Sequence, residues 1–263
     1  MSRVQVLVAC MGQKDDGLYQ TMNLQTDAVL ANQCDVYEYR EYREPDGNLV
    51  QLVSTGDRGV GKNRNKALYF SGGEYLLCAD QDMIYVDGYA DIIENAFKKC
   101  NRADIIVFRL DYLNRFTPPR KEPKKFCRVH IWNCMRYGTA RVAMRKDAID
   151  KACLSFSTLY GGGAKFSSGE DSLFIREALR KGLRIYTCPT TIAQVKQEES
   201  SWFKGYNDKF FIDKGILLAN AFPCLKNLLI YHFAYGLRNV SKDYSFKKIC
   251  RLMRQGIRAF KEI

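Results

Sequence analysis

The chain has 263 residues and a mass of 30.3 kDa, is 46% hydrophobic and 27% charged, and carries a formal net charge of +12. A chain of this size buries roughly three quarters of its unfolded surface in one large domain, or one domain with an appendage, and needs no staple. The balance excludes a disordered, collagenous or fibrous protein. A membrane-spanning helix is not expected either, because the longest apolar candidate, residues 216–237, is broken by Asn220, Pro223, Lys226 and His232.

In chain order, residues 4–10 predict a strand, residues 1–10 being too short and too strand-like for a signal peptide, and residues 15–24 a helix or turn. Residues 27–32 and 49–54 predict strands, followed by a helix over about 59–71. A buried strand over 75–79, a helix over 88–99 and a strand over 104–108 complete a βαβ rhythm. That rhythm predicts an α/β fold with a largely parallel sheet covered on both faces, and ligands bind such sheets outside the carboxyl ends of the strands. Beyond Pro118, Pro119 and Pro123, which mark an exposed basic loop, come a strand over 141–144 and a short helical stretch. A glycine-rich loop at 161–163, a helix over about 170–181 and a strand over 183–187 follow.

The ten cysteines are mostly far apart and form no CxxC pair, which predicts reduced thiols, several of them buried as small hydrophobes, in an intracellular protein. With only His130 and His232 to supply imidazole, a zinc site is not expected.

Three segments carry side chains suited to chemistry. The strand over 75–79 runs into Asp80-Gln81-Asp82. On an extended chain those two carboxylates face one side, and hard oxygen donors there suit Mg²⁺ or Mn²⁺ with a nucleotide diphosphate completing the shell. Arg58-Gly59-Val60-Gly61-Lys62-Asn63-Arg64-Asn65 opens a helix whose inward stripe holds Val60, Ala67 and Leu68. Arg64 falls on the same stripe, so it needs an anion beneath it or must reach away, and glycines at a helix start suit a phosphate. The third segment is the glycine loop, which leads through Gly169 into Glu170-Asp171 at the start of a helix with Phe174 and Ala178 inward. A carboxylate base beside a mobile substrate loop fits that pattern. Each segment also has a plain structural meaning: a polar turn, an N-terminal turn with a solvated arginine, and acids favoured by a helix dipole.

The order and spacing of the three segments, Gly59…Arg64-Asn65, Asp80-Gln81-Asp82 and Gly169-Glu170-Asp171, resemble the family 2 glycosyltransferases over about residues 3–215. Arg136-Tyr137-Gly138, the glycines at 161–163 and Gln197-Glu198-Glu199-Ser200-Ser201-Trp202 look like a subgroup from bacterial capsule and surface-polysaccharide synthesis. The resemblance implies the GT-A fold over 1–219, with a nucleotide-binding half at about 1–110 and an acceptor half at 111–219. It also implies inverting transfer of a sugar from a nucleotide donor, UDP-linked, to a glycan or lipid-linked hydroxyl. In that scheme Asp82, assisted by Asp80, holds Mn²⁺ or Mg²⁺, which neutralises the leaving diphosphate. Arg64 supports the nucleotide, Asp171 or Glu170 deprotonates the acceptor, and Trp202 closes over the donor or stacks on a sugar. Asn32-Gln33-Cys34-Asp35 replaces the carboxylate pair found in relatives after the second strand, which leaves Asp35 for the nucleotide base, and neither histidine occupies the family's metal-side position, which leaves Gln197 or no protein ligand there. The alternatives are a sugar-nucleotide pyrophosphorylase, whose glycine motif Met11-Gly12-Gln13-Lys14 does not match, and a non-catalytic membrane scaffold.

Residues 220–263 hold nine lysines and arginines against Asp243 and Glu262, a surplus of seven. Phe246, Ile249, Leu252, Met253, Ile257 and Phe260 recur at near-helical spacing between cations. Two outcomes stay open for this basic helical tail. Its apolar stripe lies on anionic lipid at the cytoplasmic membrane face, or it packs on the domain with a solvated basic face. No segment resembles a nucleic-acid recognition module.

Overall fold

The computed structural model describes residues 3–14, 17–113, 122–196, 205–238 and 243–262. The chain divides into two compact units, residues 1–158 with 170–199, and residues 159–169 with 200–263.

The first unit is built on a mixed sheet. Its strands are β1 (Val4–Met11), β2 (Ala28–Gln33), β3 (Glu38–Arg43), β4 (Leu49–Thr55), β5 (Tyr75–Asp80), β6 (Met83–Tyr85), β7 (Ile105–Tyr112), β8 (Cys127–Arg128), β9 (Val142–Arg145) and β10 (Ile185–Val195). They lie in the order β3-β4-β2-β1-β5-β9-β7-β10-β6, with β8 beside β10. β4, β2, β1 and β5 run parallel, whereas β9 is antiparallel to both β5 and β7. Central strands such as β1, VQVLVACM, are apolar at nearly every position because both faces are covered. Val6 and Val8 face a core closed by α1 (Leu18–Thr21) and α3 (Tyr89–Lys99). Leu7 faces the opposite core, closed by α2 (Val60–Tyr69), α4 (Lys146–Lys151) and α5 (Glu170–Arg180).

Three features depart from the expected elements. β3, EYREYR, is an edge strand whose charged side chains remain partly or fully exposed, which protects the open edge from pairing with another chain. β6 is only three residues long. β10 continues well past residue 187, because register shifts between Thr187 and Thr191 and between Thr191 and Ala193 accommodate Pro189 within the strand. All ten cysteines are free thiols, with Cys10, Cys78, Cys134, Cys188 and Cys250 buried.

The second unit contains α6 (Asp208–Ala221), α7 (Lys226–Leu237) and α8 (Phe246–Ala259). The expected division at 219/220 therefore falls inside α6, which packs with α8 and α7 around Phe211, Leu218, Ile230, Ile249 and Met253. The α8 stripe of Ile249, Leu252, Met253 and Ile257 is buried in that core, so it is not available to lipid. Glycines set the α6–α8 approach. A Cβ on Gly215 would stand 2.0 Å from the Met253 carbonyl oxygen, and one on Gly256 would stand 2.0 Å from that of Ile212. Neither backbone can yield without parting the helices. Gly256→Ala is expected to cost about 3 kcal/mol, the upper end for overpacking. Its urea midpoint would fall at unchanged slope, and a midpoint equal to the parent's would refute the close crossing.

Candidate active site

Of the two outcomes open for Arg64, an anion beneath it or a side chain reaching away, the fold supplies the first, with three acids. Arg64 lies on the sheet-facing side of α2 and is 6% exposed. Its NH2 donates to Asp80 Oδ1 at 2.9 Å, at the carboxyl end of β5. Its NH1 donates to Asp171 Oδ1 in the first turn of α5 and lies 3.7 Å from Glu170 Oε1. The Thr139 hydroxyl donates to the same Asp171 oxygen, so Asp171 is held from two sides. The guanidinium carbon sits 5.5 Å from the centre of the Phe156 ring, which itself stacks on Phe174 at 4.0 Å. Burial alone opposes a charge on Arg64, but Asp171, Asp80 and Glu170 outweigh it and push its pKa well above the ordinary arginine value. Arg64 is therefore a fixed cation. Beneath the cluster, burial pushes the Cys78 thiol up to about 12, with Arg64 opposing and Asp171 and Asp80 adding, so it stays neutral.

The residues around Arg64 explain its placement. Gly59, at φ 120°, precedes the helix, and its N–H donates to Gln33 Oε1 at 2.8 Å. A Cβ on Gly61 would meet the Ser157 carbonyl oxygen at 2.1 Å, so this glycine admits the neighbouring backbone. Asn63 Nδ2 donates to the carbonyls of Ala31 at 2.7 Å and Cys10 at 3.1 Å, tying α2 to β1 and β2. Asn65 exchanges two hydrogen bonds with the Phe156 backbone, at 2.7 and 2.8 Å. Sequence reasoning missed Thr139, and it named Asn63 and Asn65 within their segment without giving either a role. The paired amides flanking an inward arginine were the available signal for the last two, whereas nothing local marked Thr139.

The other expected site residues lie on the same carboxyl edge or outside the described residues. Asp82 is exposed and stands in the turn between β5 and β6, its carbonyl accepting the Lys196 N–H at 3.0 Å. The chain leaves the extended conformation after Asp80, so strand alternation does not by itself align the two carboxylates. Gln81 between them accepts the Met11 N–H at 2.7 Å, locking this turn to the end of β1. Asp35 follows β2, is largely exposed, and pairs with Arg58. The glycine loop at 161–163 belongs to the second unit, where Gly161 N–H and Phe166 N–H bond the carbonyls of Phe166 and Leu159, both at 2.9 Å. That pairing closes the loop on itself. Gln197 and Trp202 lie outside the described residues.

Asp82 and Asp80 offer hard oxygen donors suited to Mg²⁺ or Mn²⁺. Among the described residues no group of three or more His, Cys, Asp or Glu stands ready to hold an ion. Two aspartates alone would leave most of an ion's positions to a diphosphate and water, and Asp80 Oδ1 already accepts from Arg64.

No protein-family model and no curated protein matches the chain. Solved structures do. The chain is similar to S. aureus TarS 1-349 in complex with UDP-GlcNAc, with a TM-score of 0.63 and 14% identity over 91% of this chain and 74% of that one. A further crystal structure of S. aureus TarS 1-349 gives 0.62 and 13% over 98% and 91%. The complex of the same fragment with UDP gives 0.61 and 14% over 91% and 73%. Together with the sheet topology, this likeness shows that the chain has the GT-A fold.

Proposed function

We propose that the chain is an inverting glycosyltransferase that moves a sugar from a UDP-linked donor to a hydroxyl of a glycan or lipid-linked acceptor. The observation that carries this reading is the Arg64 bridge. It joins the acid that ends β5 to the acid that starts α5, at the carboxyl edge of a GT-A sheet. The complexes of TarS with UDP-GlcNAc and UDP support the donor class.

In the displacement, the acceptor oxygen bonds to the anomeric carbon as the carbon–phosphate oxygen bond breaks. The bonding pair leaves with the diphosphate, and the hydroxyl proton passes to a carboxylate. Asp171 is that base. Arg64 and Thr139 hold one of its oxygens, which fixes the direction of the other. Glu170 borders the acceptor side. Arg64 acts as a positioning residue, because its NH1 and NH2 already serve protein carboxylates, while Asp35 contacts the nucleotide base. Asp82 and Asp80 would hold Mn²⁺ or Mg²⁺, which when bound neutralises the leaving diphosphate.

The test is calorimetry and thermal unfolding with UDP and Mn²⁺. UDP at 100 times its dissociation constant should stabilise the protein by about 2.7 kcal/mol. Asp82→Asn should remove the Mn²⁺-dependent part of that affinity while leaving the melting temperature without ligand unchanged. Absence of UDP binding, together with absence of UDP-sugar turnover, would refute the proposal.

A further inference from the structure

The second unit carries an outward face that the transferase chemistry does not use. α7 buries Ile230 and Ala234, and the side away from them presents Leu225, Leu228, Tyr231 and Tyr235. These positions recur at helical spacing and form one stripe, with Leu228 68% and Tyr235 61% exposed. α8 turns its buried stripe inward and exposes Lys247, Arg251, Arg254 and Arg258. Arg254 joins the two faces. It donates to the Tyr231 hydroxyl, and its guanidinium carbon lies 5.3 Å from the centre of that ring. A groove of about 590 Å³ opens beside Arg251, Arg254 and Arg258, with Asp208 on its wall. Neither α7 nor α8 contains an acidic residue.

We propose that this face seats the protein on an anionic lipid surface, with Leu228, Tyr231 and Tyr235 of α7 entering the headgroup boundary and the α8 arginines binding lipid phosphates. Tyrosine rings sit at headgroup depth because one end is apolar and the other polar. Exposed leucine beside them gains only from an apolar environment. Each cation near an anionic leaflet strengthens the contact about fivefold. A nucleic-acid backbone would use the arginines and leave Leu225 and Leu228 in water. A second copy across a two-fold axis would set this face, in whose groove Asp208 alone opposes the α8 cations, against its own image, largely like charge on like. Among the described residues no helix is long and apolar enough to cross a membrane, so the contact is with the surface. The apolar part comes from α7, in place of the α8 stripe expected from the sequence. The inference is independent of the proposed reaction.

The test is sedimentation of the full chain with phosphatidylcholine vesicles, alone and mixed equally with phosphatidylglycerol. The wild type should pellet with the mixed vesicles only. Arg251→Gln with Arg258→Gln should weaken partitioning roughly thirtyfold, two cations' worth. Leu228→Ser with Tyr235→Ser should weaken it about tenfold or more and should do so also at high salt, where the charge contribution is screened. All four side chains are exposed, so unchanged melting curves are expected and separate binding from folding. Equal pelleting of the Leu228 and Tyr235 variant with wild type would overturn the proposal. So would a dimer that this variant dissolves, or binding to a single-stranded oligonucleotide without binding to vesicles.

Discussion

Asp171→Asn is expected to abolish sugar transfer, lowering turnover by about 10²–10⁴, the usual cost of losing a general base, while UDP affinity stays near that of the parent. The side chains are nearly isosteric. An asparagine carbonyl oxygen can still accept from Arg64 and Thr139, the two groups that hold Asp171 Oδ1, so local geometry should survive. What disappears is the second carboxylate oxygen as a proton acceptor. That loss is felt only as the acceptor–carbon bond forms, so the effect belongs in turnover and not in donor binding. Glu170→Gln is the matched control. Its carboxylate lies farther from Arg64, at 3.7 Å, and its loss should reduce turnover less. Turnover of Asp171→Asn within a few-fold of the parent, with Glu170→Gln inactive, would assign the base to Glu170.

Most of the parallel half of the sheet was legible in the sequence, and so was the placement of Arg64. Helical periodicity alone put Arg64 on the inward stripe, where it needed an anion or had to reach away. Which anion was not legible, because Asp80 and Asp171 are 16 and 107 residues away and only the completed sheet brings them together. The glycines before Arg64 suited a phosphate. The structure shows another use for Gly61: it lets α2 rest against the Ser157 backbone. A glycine signals close approach but does not name what approaches.

Strands failed where composition or punctuation misled. β3 alternates Glu, Tyr and Arg without an apolar face, so it lacked the pattern of a half-buried strand. The strand expected over 183–187 runs on, because register shifts around Thr191 carry β10 past Pro189 to Val195. The antiparallel insertion of β9 between β5 and β7 is a property of topology, and no local pattern records strand direction. The basic tail was legible as an amphipathic helix. Its partner was not, since the same stripe suits lipid or a neighbouring helix, and α6 and α7 occupy it.

The second large effect concerns Arg64 itself. Arg64→Met would leave Asp80, Asp171 and Glu170 facing a buried site without the cation that now separates them. Breaking a buried pair by removing one partner costs about 3–5 kcal/mol. Partial solvation of Asp80, whose side chain is 41% exposed, favours the lower end. Arg64→Lys retains the charge, but a single ammonium cannot reproduce a planar fork that serves two carboxylates through separate nitrogens. This variant should keep more of the stability and still lose at least about tenfold in turnover, because Asp171 is no longer aimed. The sharpest measurement is a double-mutant cycle at 64 and 171 read by urea midpoints. Adding Asp171→Asn to Arg64→Met removes one of the stranded charges, so the double variant should be more stable than the sum of the single effects by about 1–3 kcal/mol, the range for residues in one network. Additive effects would show that Arg64 holds its place through packing on Phe156 and not through the carboxylates, and the positioning role would fall with them.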